Sequence, residues 1–138
     1  MANNLRHASL RWAGRGLVFE GGAPGADPIR MDGDTTEGPS PMELLLLSLA
    51  GCMAIDMRMI LEKSRVEVNA LDVEIEGERA TDDPKRFVRV HMAFELEGPS
   101  DDDANRIARA IQLSADKYCS VHHTLDPALE VTTEWSLR

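Results

Sequence analysis

Basic and aromatic residues are scarce in this chain of 138 residues. Fifteen lysines and arginines oppose 24 aspartates and glutamates, so the formal net charge is −9. A surface of that sign repels the phosphate backbone of nucleic acids and anionic membranes. The composition therefore predicts no nucleic-acid partner and no membrane partner.

An export signal is also missing, and cysteine is rare. The stretch from Met1 to Trp12 contains Arg6 and Arg11 but no apolar run of signal-peptide length, so we expect a cytoplasmic protein. The two cysteines, Cys52 and Cys119, are then weak support for a structural disulfide, because reducing compartments keep thiols reduced. They are expected to be core thiols or redox residues.

The chain shows no internal repeat, low-complexity tract or interdomain linker. Its 138 residues have the length of one domain, and 43% of them are hydrophobic, which suits a globular protein with a core. We expect a single domain over residues 1–138, with no cofactor and no metal.

A strong helix signal lies at Ser40–Glu43, where an N-cap serine is followed by proline and by a capping-box glutamate. The helix is predicted to begin at Pro41 and to run to about Ser64. No residue from Leu44 to Ile55 is charged, so this helix should be buried nearly all round. The uncharged run is shorter than the ~20 residues that span a bilayer, which favours a central core helix. Since one small domain cannot cover such a helix on every side, we expect an obligate homodimer.

The remaining pattern predicts short strands and a second helix. Strands are predicted at Leu5–Trp12, Leu17–Glu20, Ile29–Asp32, Leu71–Glu76, Val88–Leu96 and Val131–Leu137, the last with Val131, Thr133, Trp135 and Leu137 inward. The second helix is predicted from Ser100 or Asp103 to about Lys117, with Ala104, Ile107, Ala108, Ile111 and Ala115 on its inner face. Strands and helices without a βαβ rhythm indicate the α+β class.

Cys52 follows Gly51 in the apolar part of the first helix. A buried core thiol is the simpler interpretation. A reactive thiolate there requires a cation from another segment, because burial raises a thiol pKa and a mid-helix position offers no help. Arg15, between two glycines in a strand turn, is a candidate for that cation, and a solvated turn residue is its simpler interpretation.

Cys119 lies just past the second helix among polar neighbours, so it is expected to be more accessible than Cys52. That position suits a resolving cysteine, which captures a sulfenic acid as a disulfide. A zinc site with His122 and His123 is a weaker alternative, because a second pair of ligands is missing. Glu43 is expected either to cap the helix or to orient an arginine at an active site.

The segments Gly38–Leu44, Ala50–Cys52 and Lys117–Val121, taken in order, resemble the OsmC/Ohr family of osmotically inducible and organic-hydroperoxide-resistance proteins. The resemblance covers nearly the whole chain and is greatest to the branch typified by YhfA. It implies an OsmC-like α+β fold of antiparallel sheets and long buried helices in an intertwined homodimer, with active sites at the dimer interface.

The resemblance also implies an activity. By the family's mechanism Cys52 attacks an organic hydroperoxide, Cys119 resolves the sulfenic acid and Arg15 polarises the site. A dihydrolipoyl group or another thiol then reduces the disulfide, in defence against oxidative stress. The family's glutamate usually follows the proline directly, whereas here Met42 does and Glu43 comes next.

We therefore predict a two-cysteine peroxidase with Cys52, Cys119, Arg15 and Glu43 as its catalytic residues. The alternative is a dimeric protein that binds a small lipophilic or thiol-reactive ligand without turnover. Reactivity of Cys52 near neutral pH distinguishes the two hypotheses.

Overall fold

The computed structural model describes residues 4–138; residues 1–3, part of the stretch Met1–Trp12 that was expected to carry no export signal, lie outside it. Contacts within the chain group it into two compact units, Met1–Leu45 and Leu46–Arg138. A single domain over the whole chain stays a prediction.

The first unit contains a three-stranded antiparallel sheet of β1 (Ser9–Trp12), β2 (Val18–Gly22) and β3 (Ile29–Asp32). The turn from β1 to β2 has positive φ angles at Gly14 (88°) and Gly16 (48°), which glycine adopts without steric cost. Arg15 lies between these glycines at the tip of the turn. The three predicted strands are confirmed, although the first begins at Ser9 rather than at Leu5.

Helix α1 spans Pro41–Lys63, as its capping signal predicts. The Ser40 N–H donates to Glu43 Oε1 over 2.9 Å, and the Glu43 N–H donates to Ser40 Oγ over 3.1 Å. This reciprocal capping box satisfies two backbone donors and fixes the residue at which α1 begins.

The second unit contains a sheet in the order β4 (Ala70–Arg79), β5 (Phe87–Glu97), β6 (Glu130–Leu137). The β4–β5 pair is an antiparallel hairpin, but β6 runs parallel to β5. The α+β class is confirmed, whereas the expectation of wholly antiparallel sheets is wrong at β6. The reason is the helical connection after β5, which returns the chain to the end of the sheet where β5 began.

That connection contains four helical segments. They are a 3₁₀ turn (Asp101–Asp103), α2 (Ala104–Leu113), a π-helical turn (Ser114–Tyr118) and the short α3 (Ser120–Thr124). The sequence predicted one helix to about Lys117, and it predicted neither the π turn nor α3.

Helices and one face of the sheet enclose the core of the second unit. The fully or nearly fully buried side chains include Leu49, Met53, Met57 and Leu61 of α1, Val90, Met92, Phe94 and Leu96 of β5, and Ile107, Ala110 and Ile111 of α2. The predicted alternation in β5 is confirmed. Ala108 and Thr133 were predicted to face inward but are exposed, because α2 turns Ala110 rather than Ala108 to the core and Thr133 lies on a strand at the sheet edge.

Burial of α1 is one-sided. Leu47, Ile55 and Met59 are 57%, 63% and 55% exposed, so the prediction of burial all round is wrong for a single chain. By length and composition α1 is apolar enough to cross a membrane. Its Leu49–Leu61 side nevertheless packs against sheet and helix side chains, which is the arrangement of a core helix.

Candidate active site

The two cysteines occupy different environments in the second unit. Cys52 lies in the middle of α1 and is partly exposed, whereas Cys119 is completely buried. The expectation that Cys119 is the more accessible thiol is therefore wrong. Its polar neighbours in sequence point outward, while the π turn directs the Cys119 side chain into the hydrophobic core.

The fold brings Cys119 into interaction with Cys52. The pKa of the Cys119 thiol is raised from 9.0 to about 11, chiefly by burial, and a hydrogen bond to Cys52 and the Cys52 charge contribute to the same rise. A thiol that donates its proton to a neighbouring sulfur holds that proton more tightly. Cys119 is consequently protonated near neutral pH and is a donor toward Cys52.

A backbone N–H group next to Cys119 partly opposes the rise in the Cys119 pKa. Cys119 is the N-cap residue of α3, and its Sγ accepts a hydrogen bond from the His122 N–H over 3.4 Å. An N–H donor favours the thiolate and lowers the thiol pKa, but burial outweighs it here.

Asp56 and Ser114 lie next to the cysteine pair, and neither was predicted from the sequence to take part in chemistry. Ser114 is fully buried, and its Oγ donates to Asp56 Oδ2 over 2.8 Å. The Asp56 charge is a further, smaller cause of the raised Cys119 pKa. Asp56 follows Cys52 by four residues, which places it one helical turn along the same side of α1.

Arg15, in the first unit, is bound by a carboxylate that the sequence analysis did not single out. Its Nε donates to Glu37 Oε2 over 2.9 Å, and its second guanidinium nitrogen binds Glu37 Oε1. This two-pronged pair holds the pKa of Glu37 below its usual value. Arg30 also lies 3.6 Å from the same carboxylate and joins Glu37 to Glu20.

The buried carboxylate of Asp32 positions Glu37. Its oxygens accept the backbone N–H groups of Asp34, Thr36 and Glu37 over 2.9, 3.3 and 3.0 Å. These bonds lower the pKa of Asp32 and fix the loop that follows β3. An aspartate at a strand end followed by Gly-Asp-Thr-Thr was the signal in the sequence that could have indicated this turn.

Of the two interpretations of Glu43, helix capping is the one its geometry shows. The arginine-orienting contact that was the alternative is made to Arg15 by Glu37. Glu43 therefore acts on the start of α1, and Glu37 takes the place expected for it beside Arg15.

Among residues 4–138 the structure gives no support to a zinc site formed by Cys119, His122 and His123. Within residues 4–138 no group of three or more His, Cys, Asp or Glu side chains is arranged to hold a metal ion. Nδ1 of His122 lies 3.0 Å from the Ala115 carbonyl oxygen, and the rings of His122 and His123 are tilted at 47° to each other.

Residues 32–134, which include α1, both cysteines and most of the second sheet, match the family model described as OsmC-like protein. The chain belongs to the OsmC-like family. The resemblance seen in the sequence is thereby confirmed. This OsmC-like protein is also 37% identical over 131 residues to Protein YhfA of Escherichia coli strain K12, covering 94% of this chain and 96% of YhfA.

Solved structures support the fold of this OsmC-like protein. A hypothetical protein from Aquifex aeolicus VF5 has a TM-score of 0.85 at 24% identity, covering 97% of this chain and 96% of that one. An organic hydroperoxide resistance protein from Elizabethkingia anophelis has a TM-score of 0.68 at 11% identity, covering 97% and 96%. At these identities the likeness establishes the fold.

Proposed function

We propose that this OsmC-like protein is a thiol peroxidase that reduces organic hydroperoxides, with Cys52 as the reacting cysteine and Cys119 as the resolving cysteine. The observation that carries the proposal is that the two cysteines, from distant parts of the sequence, meet at one core cluster, where their thiols interact. The hydroperoxide-resistance name of a structural neighbour agrees with a role in defence against organic peroxides.

The reaction balances with these two residues. The Cys52 sulfur attacks one hydroperoxide oxygen, an S–O bond forms, the O–O bond breaks, and the alcohol leaves with a proton. The Cys119 sulfur then attacks the Cys52 sulfenic acid, so that an S–S bond forms and the hydroxyl leaves with the thiol proton as water. An external dithiol, such as a dihydrolipoyl group, reduces the disulfide.

The environments of the two thiols assign their roles. Cys52 is partly exposed, so a substrate can reach it from solvent. Cys119 is buried with a pKa of about 11, so it is protonated near neutral pH and is a poor first nucleophile. Cys119 is therefore assigned the second step, attack on the Cys52 sulfenic acid.

Arg15 is assigned the electrostatic role that the family resemblance implies, with Glu37 as the carboxylate that orients its guanidinium. A planar guanidinium that donates two parallel hydrogen bonds to Glu37 is restricted in orientation. Glu43 enters the proposal through the capping box, which sets the start of the helix that carries Cys52.

The proposal includes a cytoplasmic homodimer. The exposed Leu47, Ile55 and Met59 side chains form one apolar side of α1, and a second copy of the chain would cover it. Such a partner would also lie beside Cys52, since Ile55 follows it by about one helical turn.

Intact-mass spectrometry of the reduced protein after one equivalent of cumene hydroperoxide tests the proposal. Wild type should lose the mass of two hydrogens, Cys119→Ser should gain one oxygen, and Cys52→Ser should be unchanged. Hydrogen peroxide at the same concentration serves as the comparison oxidant and should react more slowly. A wild type that stays reduced while a free thiol is oxidised would overturn the peroxidase and support the binding-protein alternative.

A further inference from the structure

We propose that Asp56 and Ser114 are positioning residues that hold Cys119 against Cys52 for disulfide formation. The inference deepens the proposed function and rests on its second step. In that step the Cys119 sulfur must reach the Cys52 sulfenic sulfur before a second oxidant does.

Ser114 is hydrogen bonded both to the helix that carries Cys52 and to the backbone of Cys119. Its side-chain hydroxyl donates to Asp56 Oδ2 over 2.8 Å, and its backbone carbonyl oxygen accepts the Cys119 N–H over 2.8 Å. Asp56 belongs to the same helix as Cys52. One buried residue therefore links the helix that carries the first thiol to the backbone that carries the second.

The link spans an unusual piece of backbone. Residues Ser114–Tyr118 form a π-helical turn, and the Cys119 N–H to Ser114 carbonyl bond closes it. Such turns are rare and recur at functional sites. Because Cys119 is the first residue after the turn, a shift of Ser114 moves the Cys119 sulfur directly.

The Ser114 hydroxyl differs from an ordinary buried serine on a helix. A serine there usually returns its hydroxyl to a carbonyl one turn back on its own helix. Ser114 is fully buried yet bonds to a carboxylate on another helix, and a bond to a charged acceptor is stronger than one to a neutral acceptor.

Asp56 also contributes charge to the site. The groups that act on Cys119 are Cys52 and Asp56 from α1 and the His122 N–H from its own segment. Asp56 in turn lines a groove of about 440 Å³ with Lys63, Arg109 and Tyr118. The Asp56 charge acts in the same direction as burial and favours the protonated Cys119 thiol.

Four variants distinguish the positioning of Cys119 from the effect of the Asp56 charge. Ser114→Ala and Asp56→Ala remove the link, Asp56→Asn keeps an oxygen acceptor but removes the charge, and Glu62→Gln is the matched control for an exposed acid on α1. Urea unfolding of each variant identifies any that is not folded, and Asp56→Asn is the one expected to retain the wild-type fold.

The first readout is disulfide formation. Reduced protein is mixed with oxidised glutathione, and mass spectrometry follows conversion of the Cys52–glutathione adduct to the Cys52–Cys119 disulfide. Ser114→Ala and Asp56→Ala should slow this conversion about tenfold or more, because displacing a reacting group by an ångström lowers the reaction rate by up to ~10²-fold. Asp56→Asn and Glu62→Gln should stay within about threefold of wild type.

The second readout is the pH at which Cys119 ionises, followed by thiolate ultraviolet absorbance in a Cys52→Ser background. Asp56→Asn should lower the midpoint, and Glu62→Gln should leave it unchanged. Wild-type conversion rates in Ser114→Ala, or an unmoved midpoint in Asp56→Asn, would overturn the inference. Neither readout needs a hydroperoxide, so failure of the peroxidase test leaves this result interpretable by itself.

Discussion

The buried thiol of Cys119 predicts how stability changes in alkaline solution. Its folded-state pKa is about 11 against an ordinary value of 9.0, so the folded chain binds the proton more tightly than the unfolded chain. Below pH 9 both states are protonated and the thiol adds no pH dependence. Above pH 9 the unfolded state loses the proton first, and stability falls as pH rises toward the folded-state value.

The size of the effect follows from the same two values. Each pH unit over which only the folded chain holds the proton costs ~1.4 kcal/mol. Between pH 9 and about 11 the loss attributable to Cys119 is therefore about 2 to 3 kcal/mol. A variant that lacks the Cys119 thiol isolates this contribution.

The assay compares wild type with Cys119→Ala. Free energies of unfolding are measured in urea at pH 8, 9, 10 and 11, with reductant present and protein concentration fixed. The variant is expected to be less stable at pH 8 because it lacks a buried side chain, and to lose less stability than wild type as pH rises. Parallel curves for the two proteins would refute the assignment of a raised pKa to the Cys119 thiol.

Three further predictions concern packing, capping and assembly. Met53→Ala removes a fully buried side chain from α1 and should lower the free energy of unfolding, measured by urea denaturation, by roughly 2–5 kcal/mol. The control Arg58→Ala, on the exposed side of the same helix, should change this free energy little. Ser40→Ala breaks the capping box and should cost about 1 kcal/mol in the same measurement, with no effect expected from Ser136→Ala on the outer sheet face. Ile55→Glu places a charge on the exposed apolar side of α1 and should convert the proposed dimer to a monomer, as measured by light scattering. The control Glu62→Gln should leave the protein dimeric. An unchanged molecular mass for Ile55→Glu would contradict the proposed interface.

Local signals in the sequence were sufficient for most of the fold. The Ser40–Glu43 motif located the start of α1 because its hydrogen bonds lie within four residues. The alternation in β5 located the core face of the sheet for the same reason. The parallel pairing of β6 was not predicted, because it depends on how the helical connection crosses the sheet and not on the pattern inside the strand.

The candidate site was predicted less completely, because its contacts join distant segments. Both cysteines were identified, but their relative burial was inverted, since polar neighbours do not report the direction of a side chain after a π turn. Glu37 and Ser114 were missed as partners of Arg15 and Asp56 because each pair is formed by tertiary structure.

The positions of Cys52 and Cys119 along the chain bracket β4, β5 and α2. A covalent bond between them would close this whole segment into a ring around the core of the second unit. Residues 81–86, the fully exposed tip of the β4–β5 hairpin, lie inside that ring. A protease cut at the tip would release two fragments from the reduced protein but would leave the oxidised protein in one covalent piece. The redox state of the cysteine pair would then be readable on a denaturing gel as the connectivity of the chain.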